Sequence, residues 1–171
     1  MKKAISLLIL LILPLILSSC EKIPILTPLE TPPPRYPASY NAEITVGDFT
    51  CSAKIEWEST ETFLMTFTAP ETISDLTVRL ENSVYTYETG GIQAPHPSAN
   101  LPADAIPNLI FSALREFLKS NYQTSELTEN TWRYGGISNA TPFYITQNSQ
   151  TENLISLKIP QKELTVTFVQ Q

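Results

Sequence analysis

The apolar residues from Tyr40 to Phe168 recur with two different periods, and the changes of period outline the elements of this chain. The first period is two. Ala42, Ile44 and Val46 alternate with polar neighbours; after Gly47-Asp48, the run Phe49, Cys51, Ala53, Ile55, Trp57 alternates with Thr50, Ser52, Lys54 and Glu56. That pattern predicts a hairpin with one buried face. Ser59-Thr60-Glu61 turns the chain, and Phe63, Met65 and Phe67 continue the alternation up to Pro70. Leu76, Val78 and Leu80 predict a fourth strand, Asn82-Ser83 a turn, and Val84 to Thr89 a fifth strand closed by Gly90-Gly91. Gln93 to Pro102 reads as loop by composition.

The period then becomes 3.6. Ile106, Leu109, Ile110, Ala113, Leu114, Phe117 and Leu118 fall on one helical face. The predicted helix spans about 104–119, with Asp104 as cap, Pro107 tolerated in the opening turn, Lys119 suited to the C-terminal dipole and Asn121 able to close the end. Strands resume at Thr131 to Tyr134 before Gly135-Gly136, taken as a hairpin turn. Further strands are expected at Thr141 to Thr146, at Ile155, Leu157 and Ile159, and at Leu164, Val166 and Phe168.

Nearly every strand is apolar on one side and rich in Thr, Ser, Glu and Gln on the other. One buried face must be covered, and the helix supplies cover. A two-sheet sandwich gives similar strand patterns, but a long amphipathic helix in mid-chain fits a strongly curved single sheet better. The fold class expected is mainly β (α+β): a curved antiparallel sheet of about eight or nine strands, forming a half-barrel around one amphipathic helix over residues 40–171.

The segments ahead of that domain are of another kind. Lys2 and Lys3 form a short basic start, Ala4 to Leu17 is almost unbroken apolar sequence, and Leu17-Ser18-Ser19-Cys20 follows. A membrane span needs about 20 apolar residues; this run is shorter and contains Pro14. Residues 1–19 therefore read as a secretory signal with its cleavage site. The four residues ending at Cys20 resemble the lipobox of bacterial lipoproteins, which implies that the cysteine thiol receives a diacylglycerol and becomes the new N-terminus. From Glu21 to Ser39 six prolines occur in 19 residues. Such a stretch favours extended polyproline II at about 3.1 Å per residue, a tether of up to roughly 60 Å. Pro32-Pro33-Pro34 could alternatively be a docking site for a proline-recognising partner.

Charge removes some functions. Without residues 1–19 the chain keeps 9 basic against 17 acidic residues, a formal charge of −8. That argues against nucleic acid as a partner, since such binding relies on Lys and Arg neutralising phosphates. With Cys20 committed to lipid, Cys51 has no partner for a disulfide; its register with Phe49, Ala53, Ile55 and Trp57 marks it as core rather than a reactive thiol. His96, the one histidine, lies in Ala94-Pro95-His96-Pro97 and would act alone as base or ligand. Glu56, Glu58 and Glu61 gather at one hairpin end, where a solvated acidic surface is expected rather than a calcium site or a glycosidase pair. No serine stands in Gly-x-Ser-x-Gly or Ser-x-x-Lys, and no phosphate loop is found. No catalytic residue, metal site or cofactor is expected.

The order of elements is similar to the lipoprotein-carrier superfamily, the LolA and LolB-like half-barrels. The local match runs from Thr62 to Glu88: a strand (Phe63 to Ala69) ending at Pro70, a second (Leu76 to Leu80), a polar turn, and an aromatic strand over Val84-Tyr85-Thr86-Tyr87. Asn82-Ser83 stands where that family tends to have Asp-Gly, and the proline-rich stretch stands where it has an N-terminal helix. The chain also resembles uncharacterised lipoproteins of Gram-positive bacteria. The resemblance implies a greasy cavity between sheet and helix, with Met65, Phe67, Leu109, Ala113 and Phe117 among its lining candidates. The aromatic residues Trp57, Phe63, Phe67, Phe117, Trp132, Phe143 and Phe168 are otherwise expected simply to form a core.

The expectation is a monomeric, non-enzymatic binding domain held on the extracytoplasmic face of a membrane through the lipid on Cys20. Its partner would be a lipid or an envelope protein. The alternatives are a carrier of acyl chains in a half-barrel cavity, or a sensor using the acidic, threonine-rich sheet face around Glu56 and Glu58.

Overall fold

The alternating runs fold as one antiparallel sheet of eleven strands. The computed structural model describes residues 36–97, 102 and 104–169, which fall in the second of two compact units, Thr31–Gln171. The expected signal, Cys20 and the expected tether up to residue 35 lie outside the described residues. The strands are β1 (Ala38–Val46), β2 (Phe49–Trp57), β3 (Thr62–Ala69), β4 (Thr77–Glu81), β5 (Val84–Thr89) and β6 (Ile92–Pro97). The helix α1 (Ile106–Leu118) follows, then β7 (Tyr122–Thr128), β8 (Thr131–Ser138), β9 (Thr141–Asn148), β10 (Leu154–Ile159) and β11 (Leu164–Val169).

Their order across the sheet is β6-β5-β4-β3-β2-β1-β11-β10-β9-β8-β7. The chain enters in the middle at β1, walks outward to the edge β6, crosses as α1, and walks back from the opposite edge to β11 beside β1. An open sheet beyond about ten strands must curl. This one curves without closing, giving a half-barrel around the helix.

Register fixes which face is buried. Tyr134, Ile145, Leu157, Val166, Ile44 and Cys51 stand opposite one another in a row across β8, β9, β10, β11, β1 and β2, and all are buried. The adjoining row, Arg133, Thr146, Ser156, Thr167, Glu43 and Ser52, is polar and faces outward. A slip of one residue would exchange the two rows, so the apolar face locks the register. All seven aromatic residues expected inside are buried.

Several expectations are corrected. The sheet has eleven strands rather than eight or nine, because β6 replaces part of the expected loop at Gln93 to Pro102 and β7 was not anticipated. Gly135-Gly136 is not a turn but lies within β8, whose turn is at Asn139-Ala140. Phe49 opens β2 and is 44% exposed instead of extending the buried row. A bulge between Leu154 and Ser156 turns Leu154 inward and Ile155 outward, reversing the expected phase at that end only, while Leu157 and Ile159 are buried as expected. β1 starts at Ala38, so Ala38 and Ser39 belong to the domain and not to the tether.

The helix is shorter at its start than expected. Its N-cap is Ala105, with no side-chain cap, and Asp104 instead pairs with Lys162 at 2.5 Å. At the other end Ser120 takes a left-handed backbone at φ 57°, and Ser120 N and Asn121 N donate to the carbonyls of Phe117 and Glu116. Those two bonds form a Schellman closure. Pro107 lies in the opening turn, as expected.

Candidate functional site

The five cavity candidates lie on facing surfaces of the half-barrel. Met65 and Phe67 point inward from β3, and Leu109, Ala113 and Phe117 come from α1; all five are buried. Phe111, which falls off the simple helical stripe, is also fully buried. Its ring stacks on Phe63 at 5.2 Å and on Tyr85 at 6.1 Å. Toward the other arm of the sheet, Phe117 meets Tyr134 at 5.0 Å and Tyr122 at 6.3 Å. A sheet that wraps round a helix buries a wider arc of it than a flat one, which is why Phe111 escaped the periodicity.

Several polar groups inside this packing are hydrogen-bonded to one another. Tyr85 Oη donates to Asn108 Oδ1 at 3.2 Å; Ser112 Oγ reaches the same oxygen, and Asn139 Nδ2 donates to Ser112 Oγ, each at 3.2 Å. This chain of bonds crosses α1 from β5 to the β8–β9 turn. Tyr134 Oη donates to Gln147 Oε1 at 3.0 Å, and Gln147 Nε2 donates to the Glu152 carbonyl at 2.7 Å. Burial pushes the Tyr85 hydroxyl up to about 12 and the Tyr134 hydroxyl up as well. Burial also raises the Cys51 thiol, whose side chain is free and packed in the core.

A cleft of about 340 Å³ opens at the strand ends where β1 begins and β2 gives way to β3. Trp57, Phe63 and Leu64 give it apolar walls, and Glu56, Glu58 and Arg79 bring charge. Ser39, Glu56, Leu64 and Arg79 stand in one register row across β1, β2, β3 and β4. Arg79 and Leu64 drew no attention in the sequence because they sit on the polar side of their strands. Only the register brings them to Glu56.

The three glutamates at that hairpin end separate in space. Glu56 pairs with Lys54 at 2.9 Å, and Glu58 is exposed. Glu61, expected to be merely solvated, bridges to the helix: Lys119 Nζ donates to Oε1 at 2.6 Å and Arg115 Nε lies 3.8 Å from Oε2. The Lys119 hydrogen bond, helped by both positive charges, holds the Glu61 carboxyl below its ordinary range despite some desolvation. His96 lies on β6, not in a loop, exposed and edge-on to the Tyr87 ring at 5.9 Å. Among the described residues no three His, Cys, Asp or Glu side chains gather as a metal site would require.

No family model matches the chain, and no curated protein matches its sequence. Comparison with solved structures gives distant likenesses. An uncharacterised conserved protein from Thermus thermophilus aligns with a TM-score of 0.47 and 8% identity, over 78% of this chain and 77% of that one. The structure of the CwlD amidase from Clostridioides difficile in complex with the GerS lipoprotein gives 0.43 and 12%, over 71% and 75%. A LolA superfamily protein from Nitrosomonas europaea gives 0.35 and 9%, over 71% and 61%. All three scores lie below 0.5, and likenesses of that order assign this chain neither a family nor a role.

Proposed function

We propose that this chain is a lipoprotein, cleaved ahead of Cys20, acylated there, and held on the extracytoplasmic face of a membrane, where its half-barrel serves as a non-enzymatic binding domain. The observation that carries this reading is the order of its first 39 residues. A Lys2-Lys3 start, the apolar run Ala4 to Leu17, Leu17-Ser18-Ser19-Cys20, and a proline-rich spacer follow one another without interruption. Two or three acyl chains, at about 0.8 kcal/mol per buried methylene, hold a protein stably where one chain is marginal. Replacing Cys20 by Ser is expected to release the protein from membranes or block its processing, read by fractionation and by the mass of the mature N-terminus. Membrane retention equal to the parent's would refute it.

The second reading is a carrier of acyl chains. It is favoured by the resemblance over residues 62–88 and by an apolar concave face covered by a single helix. Met65, Phe67, Leu109, Ala113 and Phe117 are packed, so an acyl chain would enter by displacing α1. Native mass spectrometry and titration with a fluorescent fatty acid test this. A lipid-free mass together with no fatty-acid binding removes the carrier reading and leaves the anchor untouched.

A further inference from the structure

The sheet ends in two unlike edges. On β6, Pro95 and Pro97 lack N–H groups two positions apart, so both absences fall on the same side of the strand. Prolines in an edge strand sit with that side toward solvent, where they blunt the edge against further pairing. β7 carries no such device along most of its length. It has no proline, lysine or arginine, Gln123 to Thr128 are all exposed, and its one bulge is confined to the start, between Tyr122 and Thr124. From Thr124 to Thr128 it runs in unbroken register with β8.

An open edge presents alternate N–H and C=O groups outward, and the chemistry that satisfies them is another extended backbone. The side chains narrow the choice of partner. Leu127 stands on the inner row opposite Trp132, yet is 42% exposed, and among the described residues no strand lies beyond it on the edge side. Glu126 stands on the outer row opposite Arg133, whose guanidinium lies 4.6 Å over the Tyr144 ring. Glu129 adds a second carboxylate in the adjoining turn. A second copy of this chain would bring its own Glu126 and Glu129, and a net charge of −6, against these groups. Like charges on adjacent strands destabilise pairing.

We infer that β7 is a strand-addition site for an extended segment of a partner protein, one that alternates an apolar side chain against Leu127 with Lys or Arg beside Glu126. This deepens the binding-domain reading and requires neither the anchor nor an open cavity.

The test is fluorescence anisotropy of a labelled, end-capped peptide of alternating valine and lysine, titrated with the full-length chain in neutral maltoside detergent. Saturable binding that weakens with added salt is expected. An analogue N-methylated at every backbone nitrogen keeps the charge but can pair along neither edge, and should bind at least about tenfold more weakly. Glu126→Gln should weaken the parent peptide about threefold and flatten its salt dependence. Ser125→Pro, which copies the device of β6, should abolish binding while the far-ultraviolet circular dichroism stays unchanged. Cys20→Ser should leave the affinity as it is, separating this inference from the anchor. Equal binding of the methylated peptide, no saturation by about 1 mM, or a homodimer dispersed by Ser125→Pro in place of peptide binding would each overturn it.

Discussion

The two arms of the sheet both hold the helix with side chains, but only one of them is also built on close backbone approach. The first arm, β1 to β6, grips with side chains: Phe63 and Tyr85 close on Phe111, and Glu61 reaches Arg115 and Lys119. The second arm, β7 to β11, meets the helix through Tyr122, Tyr134 and Asn139, and it also has to make room within itself. A Cβ on Gly136 would lie 2.5 Å from the Phe143 ring, and one on Gly135 would lie 2.6 Å from Thr124 Oγ1. The first arm depends on atoms that are present, and the second also on atoms that are absent. Deletion should therefore damage the first arm and addition the second.

The largest effect is expected from Phe111→Ala. The ring is fully buried between two aromatic neighbours, so its removal leaves a cavity walled by Phe63 and Tyr85 and should cost about 3–5 kcal/mol. Chemical denaturation with an unchanged m-value measures this. A cost under about 1 kcal/mol would mean that the first arm does not hold the helix through this stack.

Next comes Gly136→Ala, the addition. Any Cβ under 3.0 Å from another atom forces a shift, and here the obstacle is the buried ring of Phe143. Overpacking of this kind costs about 1–3 kcal/mol. Gly135→Ala should cost less, because the obstructing Thr124 hydroxyl belongs to the exposed edge strand β7 and can rotate away. Equal stability of Gly136→Ala and the parent in thermal melts would contradict the account of the second arm.

These glycines also mark where the sequence was legible and where it was not. Alternation revealed nine strands because each has a buried face, and a hydrophobic period exists only where one side is dry. β6 and β7 have almost none: residue after residue is exposed, so neither leaves a periodic trace. Gly135-Gly136 resembles a turn in composition, whereas its role is close approach inside β8, visible only once Phe143 is placed beside it. Cys51 was placed correctly because its neighbours in register are apolar. The Glu61 bridge and the outer cleft were hidden, since both depend on residues far apart in the chain and adjacent only through register.

Tyr85→Phe sharpens the comparison at smaller scale. It keeps the ring stack and removes the hydroxyl that donates to Asn108, which should cost about 1 kcal/mol at neutral pH. The pH dependence has a definite sign. The Tyr85 hydroxyl is raised to about 12, above the ordinary tyrosine value near 10, so its contribution is complete below about pH 10. It is lost as pH rises through 12. The parent should lose more stability across that window than Tyr85→Phe does; identical alkaline losses would remove the buried hydroxyl from the account.

The smallest effect is expected from Glu61→Gln, and it separates the two components of the first arm's grip. The Glu61 side chain is 43% exposed, so its bridge to Lys119 and Arg115 is screened by water and worth under about 1 kcal/mol. Its carboxyl is held below the ordinary range, chiefly by the Lys119 hydrogen bond. The stabilisation is therefore present above the unfolded carboxylate value near 4.3 and disappears as pH falls through the lower folded value. The stability gap between parent and variant should be full at pH 7, shrink in strong acid, and narrow in about 1 M salt, where screening acts within a few ångströms. The Phe111→Ala gap is apolar and should persist under both treatments. If the Glu61→Gln gap ignores acid and salt alike, the bridge contributes through packing of the long Arg115 and Lys119 stems, and the first arm's hold on the helix is apolar throughout.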